Sequence, residues 1–397
     1  MKQLLLLAFT FICSHSFAQS KSITSIPLIQ KGNYIFITIA VNENDSLNFM
    51  FDSGAEFTVV NGDNKAIVLK GGSRSMKIGG GTGNVKANLY KKQKVKIGSV
   101  VLDDVKILQI PFNHFYKAQG IKLDGIIGQD LMDKFIIENN IDKSIFALYD
   151  KQNFIPDPKA DVLEILDVKG DKHGAIEVAL TLKNGKNIKG KFVLDTGSGS
   201  CFSLNIPFAE ENKILESMPV TYKKLSYGAA SDELLSNNGR LASVQIGKYI
   251  FDNPTANVKE TTKGTYMSTN RSGVIGNQVL SRFNTVYDFG GKKMYIVPST
   301  KIKDPFIAQA NGMSITYGDA NFTNLVVRIV TEKSPAADAG IKVGDEIITV
   351  NGVNAITMGL YKLLEIINVP GQKIAMTLKQ SDGSEKKVNF VTRDIIL

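Results

Sequence analysis

The chain has 397 residues, enough for two to three domains of about 150 residues each, and its 43% hydrophobic and 21% charged content excludes a disordered or low-complexity protein. The formal net charge of +9 comes from 47 Lys and Arg against 38 Asp and Glu. These charges are spread along the chain without a basic block or a recognition motif, so no nucleic-acid partner is expected.

In chain order, residues 1–18 read first as a secretory signal peptide: Lys2, the apolar run Leu4–Cys13, then Ser16-Phe17-Ala18 before a cut. A bilayer span needs about 20 apolar residues. Neither this run nor any later segment reaches that length, so no transmembrane segment is expected. Phe11-Ile12 before Cys13 is unlike a lipid-anchor signal. The mature chain is expected to begin near Gln19 and to be exported, to a periplasm or to the outside of the cell. Beyond the signal only Cys201 remains, which excludes an intramolecular disulfide. His114 and His173 have no metal-ligand spacing with Cys or carboxylates, and no G-x-S-x-G elbow accompanies them. No metal and no cofactor are expected.

The body of the chain repeats itself once. Asn33–Ala40 alternate as a strand, Asn42–Asp45 turn, and Leu47–Phe51 lead into Asp52-Ser53-Gly54-Ala55. Ala175–Leu182 alternate, Asn184-Gly185 turn, and Lys191–Leu194 lead into Asp195-Thr196-Gly197-Ser198. Val95-Lys96-Ile97-Gly98 then matches Val244-Gln245-Ile246-Gly247, and Gly125-Ile126-Ile127-Gly128 matches Gly273-Val274-Ile275-Gly276. The landmarks keep one order at offsets of 143 to 149 residues. They define two homologous lobes, 25–152 and 160–298, joined around Pro156 and Pro158. Each lobe reads as short strands, with one short helix after the apolar-apolar-Gly motif, Gln129–Phe135 and Asn277–Phe283.

An Asp on a Ser/Thr-Gly turn after a buried strand is rigidly held. Gly54 and Gly197 permit the turn and let backbone N–H groups approach the carboxylate. Ser53 or Thr196 can hydrogen-bond across to the other lobe. Two such turns would bring Asp52 and Asp195 face to face, where they share one proton. The charged member can then act as base toward water while the protonated member donates to a carbonyl oxygen. Ser198 is expected to donate to Asp195 and favour its charged form, whereas Ala55 can do nothing equivalent for Asp52.

These two halves resemble the lobes of aspartic proteases of the retropepsin and pepsin type. The resemblance rests on Phe51–Ala55, Leu194–Ser198, Ile126-Ile127-Gly128 and Val274-Ile275-Gly276. It implies a mainly β protein with two aspartic-protease-like β-barrel lobes in tandem, and an endopeptidase with Asp52 and Asp195 as catalytic pair. It also implies a flap over the cleft. Lys77–Asn84, with Gly79, Gly80 and Gly81, fits that place in the first lobe, although it lacks the aromatic residue of pepsin-like flaps. Tyr227-Gly228-Ala229-Ala230-Ser231 holds a comparable place in the second. Two lobes in one chain make dimerisation unnecessary, so a monomer is expected.

After a short polar linker, Pro298–Pro305, the pattern changes. Leu325–Val330 read as a strand, Pro335–Gly340 as a one-turn helix, Asn351-Gly352 as a turn and Leu360–Ile367 as an amphipathic helix. The run from Ser334 to Gly352 resembles PDZ domains of bacterial periplasmic proteases, which implies a small α+β PDZ domain over 306–397. Its groove would bind a C-terminal peptide as an added strand. Asn311-Gly312-Met313-Ser314 stands where such domains carry their carboxylate loop, and departs from the usual apolar-Gly-apolar form. The partners expected are therefore a peptide or protein substrate and a C-terminal peptide ligand. A catalytically silent peptide-binding scaffold on the same folds is the alternative, against which stands its lack of need for two facing carboxylates.

Overall fold

The computed structural model describes residues 20–81, 83–228 and 233–396. The expected signal peptide, Thr82 of the first flap and Ala229–Ser231 of the second lie outside the described residues. The fold is mainly β, as expected, in four sheets.

In the first half, Tyr34–Val41 and Asn44–Phe51 form an antiparallel hairpin in which Phe36 pairs with Met50. Asn42 takes φ 53 in the predicted turn. The end of the second strand is apolar on both faces, and Phe49, Met50 and Phe51 are all buried. Such a run suits a strand covered on both sides. Here Gly125–Ile127 lies parallel beside it, with Phe51 opposite Ile127, inside an eight-stranded sheet.

The second half repeats this plan. Asp171–Thr181 and Asn187–Leu194 pair around Gly185, which takes φ 84, and Leu194 lies parallel to Ile275 in Gly273–Ile275. This sheet has ten strands.

A third, six-stranded sheet joins the halves. Ile136–Asn140 pairs antiparallel with Phe283–Asp288, Ile137 opposite Tyr287 and Asn139 opposite Thr285. One apolar core runs through both halves, with Phe51 edge-on to Phe146 at 5.2 Å and 6.4 Å from Tyr287. Burial is thus shared, and neither half closes its core alone.

The two predicted short helices occur as Gln129–Met132 and Asn277–Leu280, each entered through the glycine of the apolar-apolar-Gly motif. The expectation of a single helix per lobe is corrected. Asn113–Gln119 is helical in the first half, and Ile206–Glu211 and Ile214–Ser217 in the second, with a 3-10 turn at Thr265–Met267. All are short and sit in connections whose composition resembles loops, so no periodic stripe announced them.

The last module has its own six-stranded sheet and core. Helix Pro335–Asp338 is capped by Ser334, whose Oγ accepts from Ala337 N–H at 3.3 Å, and helix Leu360–Ile367 occurs as predicted. The polar linker is no free tether. Arg282 donates to the carbonyls of Asp304 (2.6 Å) and Pro305 (3.4 Å), and its guanidinium lies 3.6 Å from the ring centroid of Phe306. Phe306 is buried in the core of the lobes. A charged strap is therefore packed because its backbone carbonyls satisfy a buried guanidinium. Nearby, Arg240 donates to Asn253 and Phe306 carbonyls and pairs with Asp394, both side chains under a tenth exposed.

Removing one partner of a buried ion pair leaves the other charge uncompensated, at about 3–5 kcal/mol. Arg240→Met is expected to destabilise the protein by that order in denaturant unfolding, and Arg240→Met with Asp394→Leu by clearly less.

Candidate active site

The site is built where the two parallel strand pairs end. Asp52 N–H donates to Ile127 O and Asp195 N–H to Ile275 O, both at 3.0 Å, so each Asp leaves its strand at one fixed point. Each turn then folds onto its own carboxylate: Gly54 N–H donates to Asp52 Oδ1 at 2.8 Å and Gly197 N–H to Asp195 Oδ1 at 3.0 Å.

The turns are locked across the halves. Ser53 Oγ donates to Leu194 O (2.8 Å) and accepts from Thr196 N–H (2.9 Å). Thr196 Oγ1 donates to Phe51 O (2.9 Å) and accepts from Ser53 N–H (2.9 Å). Both side chains are buried, so each hydroxyl must be paired, and each is paired on both sides.

The lock brings the Asp52 and Asp195 carboxyls face to face, close enough for each to shift the other. A Cβ on Gly54 would stand 2.9 Å from Asp195 Oδ1, and one on Gly197 2.2 Å from Asp52 Cγ. Glycine is required at both places because the opposing carboxyl occupies the side-chain position.

Burial, and then the charge of Asp195, push Asp52 up to about 7, against the opposing pull of Gly54 N–H and His173. Burial also raises Asp195, but the charges of His173 and Arg271, the Gly197 N–H and the Asp52 hydroxyl offset part of it. These influences favour the charged form at Asp195 over that at Asp52. The expected cause was wrong: Ser198 Oγ bonds Ser200 Oγ at 2.7 Å and does not reach Asp195.

The asymmetry comes instead from residues that sequence reasoning missed. Asp171 Oδ2 accepts from Arg271 at 2.7 Å, and Asp171 Oδ1 bonds His173 Nδ1. Burial opposes charge on His173, but the hydrogen bond and charge of Asp171, with the charge of Asp52 beyond, raise its pKa above the usual value. Burial would raise Asp171, and His173 and then Arg271 bring it down to about 2. A legible signal existed. Tyr34 stands two residues before Phe36, opposite Met50, and His173 two before Ala175, opposite Val193. Met50 and Val193 are each two residues before their Asp, so Tyr34 and His173 occupy equivalent places in the repeat.

A cavity of about 1030 Å³ contains the carboxyls. Gly54, Gly197 and Ser198 line it, with Gly79, Gly80 and Gly81 from one hairpin and Tyr227 and Gly228 from another. Ser53 and Thr196 are buried in the lock. The first hairpin, Ser73–Gly80 with Gly83–Ile97, reaches the second half, where Gly264 backs onto Gly81 O. The second, Tyr222–Ser226 with Leu234–Arg240, reaches the first half, where Gly228 O is 2.8 Å from His114 Nε2. Two hairpins therefore cross over the carboxyls in opposite senses. Lys259 adds a buried amine on the wall, 2.7 Å from Ser226 Oγ and brought down to about 7 by burial and the charge of Lys224.

The predicted loop residues of the last module also meet. Gly312 takes φ 83, Met313 N–H donates to Asn311 Oδ1 at 2.5 Å, and Ser314 lines the cavity. No group of His, Cys, Asp and Glu able to hold a metal occurs among the described residues.

A family model of aspartyl proteases matches residues 37–131, which include Asp52, the first hairpin and Ile126-Ile127-Gly128. A PDZ domain model matches residues 301–379. The chain carries an aspartyl protease domain and a C-terminal PDZ domain. No curated protein matches the chain.

Two expectations concern pH. The Asp52 carboxyl holds its proton to about 7 in the folded state, against an ordinary value of 3.8. The folded protein therefore binds more protons than the unfolded chain between those values, and stability falls as pH rises through that window. Asp52→Asn, which has no proton to lose, is expected to raise Tm over the parent above pH 7 by a few degrees, and by much less near pH 4. Secondly, the cation at His173 lowers both carboxyl pKa values. In His173→Gln, both limbs of any pH–rate profile are expected to move upward, by up to about one unit.

Proposed function

We propose that this protein is an exported aspartic endopeptidase that hydrolyses peptide bonds with water held between Asp52 and Asp195, and that its PDZ groove at Gly312–Ser314 receives a substrate C-terminus. The observation that carries the reading is the pair of partly buried, facing carboxyls in a cleft that two hairpins line. Export is supported by the composition of residues 1–18. Among the described residues no helix is long and apolar enough to cross a membrane.

The chemistry follows from the one-proton state of the pair. Charged Asp195 takes a proton from the bound water as its oxygen attacks the peptide carbonyl. Protonated Asp52 donates to the carbonyl oxygen as it becomes a hydroxyl. The resulting tetrahedral gem-diol collapses when Asp195 returns its proton to the leaving nitrogen and Asp52 recovers its own. Water is consumed, a carboxylic acid and an amine are released, and the pair is restored without a covalent intermediate. The hairpins over the cleft keep other water from the pair and clamp the substrate backbone.

The silent-scaffold reading is disfavoured by the cost of holding two carboxyls side by side, which peptide binding alone does not require.

The test is cleavage of a peptide library by the mature chain. Asp52→Asn and Asp195→Asn are each expected to lower kcat by about 10³-fold with the fold retained by circular dichroism. Activity of the parent is expected to fall above about pH 7, where Asp52 loses its proton. A parent that binds peptides but cuts none between pH 4 and 8 would establish the scaffold reading. The export claim is checked by N-terminal sequencing of the secreted chain, expected to begin near Gln19.

A further inference from the structure

The groove of the PDZ domain lies between the strand Met313–Tyr317 and the helix Leu360–Ile367. Its walls belong to the same continuous cavity as Asp52 and Asp195. Ser314 and Thr316 on the strand and Leu364 and Asn368 on the helix line the volume of about 1030 Å³ that contains both carboxyls.

The groove is also held still against the cleft. Tyr361, in the first turn of the groove helix, accepts from Gly32 N–H at 3.0 Å. Gly32 belongs to the turn that leads into Tyr34, which is itself a cleft residue. Tyr116 of the first lobe stacks on Tyr317 at 5.3 Å and meets Phe322 edge-on at 4.8 Å. Gly120 backs so closely onto the groove helix that a Cβ there would stand 2.5 Å from Tyr361 N. Together with the buried Arg240–Asp394 pair, these contacts seat the domain against the lobes.

The direction of a peptide in the groove is set by the strand. Met313–Tyr317 is an outer strand, paired among the described residues with Leu325–Val330 alone, so its other edge is open to an added strand. At its start, the Asn311–Ser314 loop is anchored to the end of the groove helix by Asn311 Nδ2 donating to Asn368 Oδ1 at 2.7 Å. Ser314 Oγ in this loop is buried and has no partner among the described residues. A buried hydroxyl without a partner calls for one, and a carboxylate supplies it. A peptide added antiparallel to this strand has its C-terminus at the loop and its earlier residues at Thr316 and Tyr361. From there the cavity continues past the turn Lys31–Tyr34 to the carboxyl pair.

We infer that the PDZ groove is the far arm of the catalytic cleft: the substrate is a polypeptide with a free C-terminus, and the scissile bond is selected by its distance from that terminus. This rests on the proteolytic reading of Asp52 and Asp195. The groove acts as a ruler because its loop, its helix and the carboxyl pair line one cavity. The product released from this arm is a C-terminal segment of one length.

The experiment uses the mature full-length chain and peptides that share one N-terminal body and one apolar C-terminal tail, separated by Gly-Ser spacers of increasing length. Product masses are the first readout. The cut is expected to stay at a constant distance from the C-terminus as the spacer grows, and amidation of the terminus is expected to raise KM at least tenfold. The second readout is photo-cross-linking to the Asp52→Asn protein, with a reactive residue placed at successive distances from the C-terminus. Cross-links to the turns at residues 52–55 and 195–198 are expected from one narrow range of distances.

Cuts that follow the body sequence whatever the spacer, with no effect of amidation, overturn the inference and leave the proteolytic reading standing. Equal cross-linking of those turns from every distance, or from none, overturns it as well. Cross-linking from one distance with no cutting by the parent supports the shared path and removes the proteolytic reading instead.

Discussion

Four hydrogen bonds made by Ser53 and Thr196 across the two halves hold the site together, and nearly everything else in the cleft depends on them. Each hydroxyl donates to a carbonyl of the opposite strand and accepts the N–H of the opposite turn. The pairs are buried, so losing one exposes no group to water and leaves two polar groups unmatched. This makes the separation of the carboxyls a property of the backbone. The glycines beside them then act as gaps for the opposing carboxyl, and the parallel strands below fix where each Asp departs.

The repeat that builds this lock is symmetric, but its electrostatics are not. Where the first lobe places Tyr34, whose hydroxyl burial and the Asp195 charge push up to about 12, the second places His173. That one difference recruits Asp171 and, through it, Arg271. A neutral phenol and a cation now stand at equivalent positions around two like carboxyls. The side with the cations favours charge, so the shared proton settles on Asp52. One unlike residue at equivalent strand positions is enough to give two like carboxyls different electrostatic surroundings.

Rigidity extends beyond the lobes. The core that fills both halves takes in Phe306, and Arg282 fastens the segment before it by its carbonyls. A PDZ domain on a loose tether would only raise the local concentration of whatever it binds. One fastened by a buried ion pair, a stacked tyrosine and a close glycine contact presents its groove at a set position, which is why groove and cleft can share one volume.

Much of this was legible in the chain before folding. The mainly β class, the duplication, the two Asp turns, the motif strands beneath them and the elements of the C-terminal domain all depend on local order: alternation, turn residues and glycine spacing, which a sequence displays directly. The lock was legible too, because a hydroxyl beside each Asp has few partners within reach. The origin of the asymmetry was not. Ser198 is near Asp195 in sequence, yet its hydroxyl turns to Ser200, while the charges that act come from residues 173 and 271. Charge acts through space, and only the pairing of distant strands decides which charges are near. The packing of the linker and the joining of groove and cleft were hidden for the same reason. A segment such as Lys301-Ile302-Lys303-Asp304 reads as solvated by composition, and the guanidinium that claims its carbonyls lies elsewhere in the chain. The sequence by itself determined the parts and their order. The tertiary structure alone decided which buried polar groups meet, because each must find a partner and the partner is chosen by the fold.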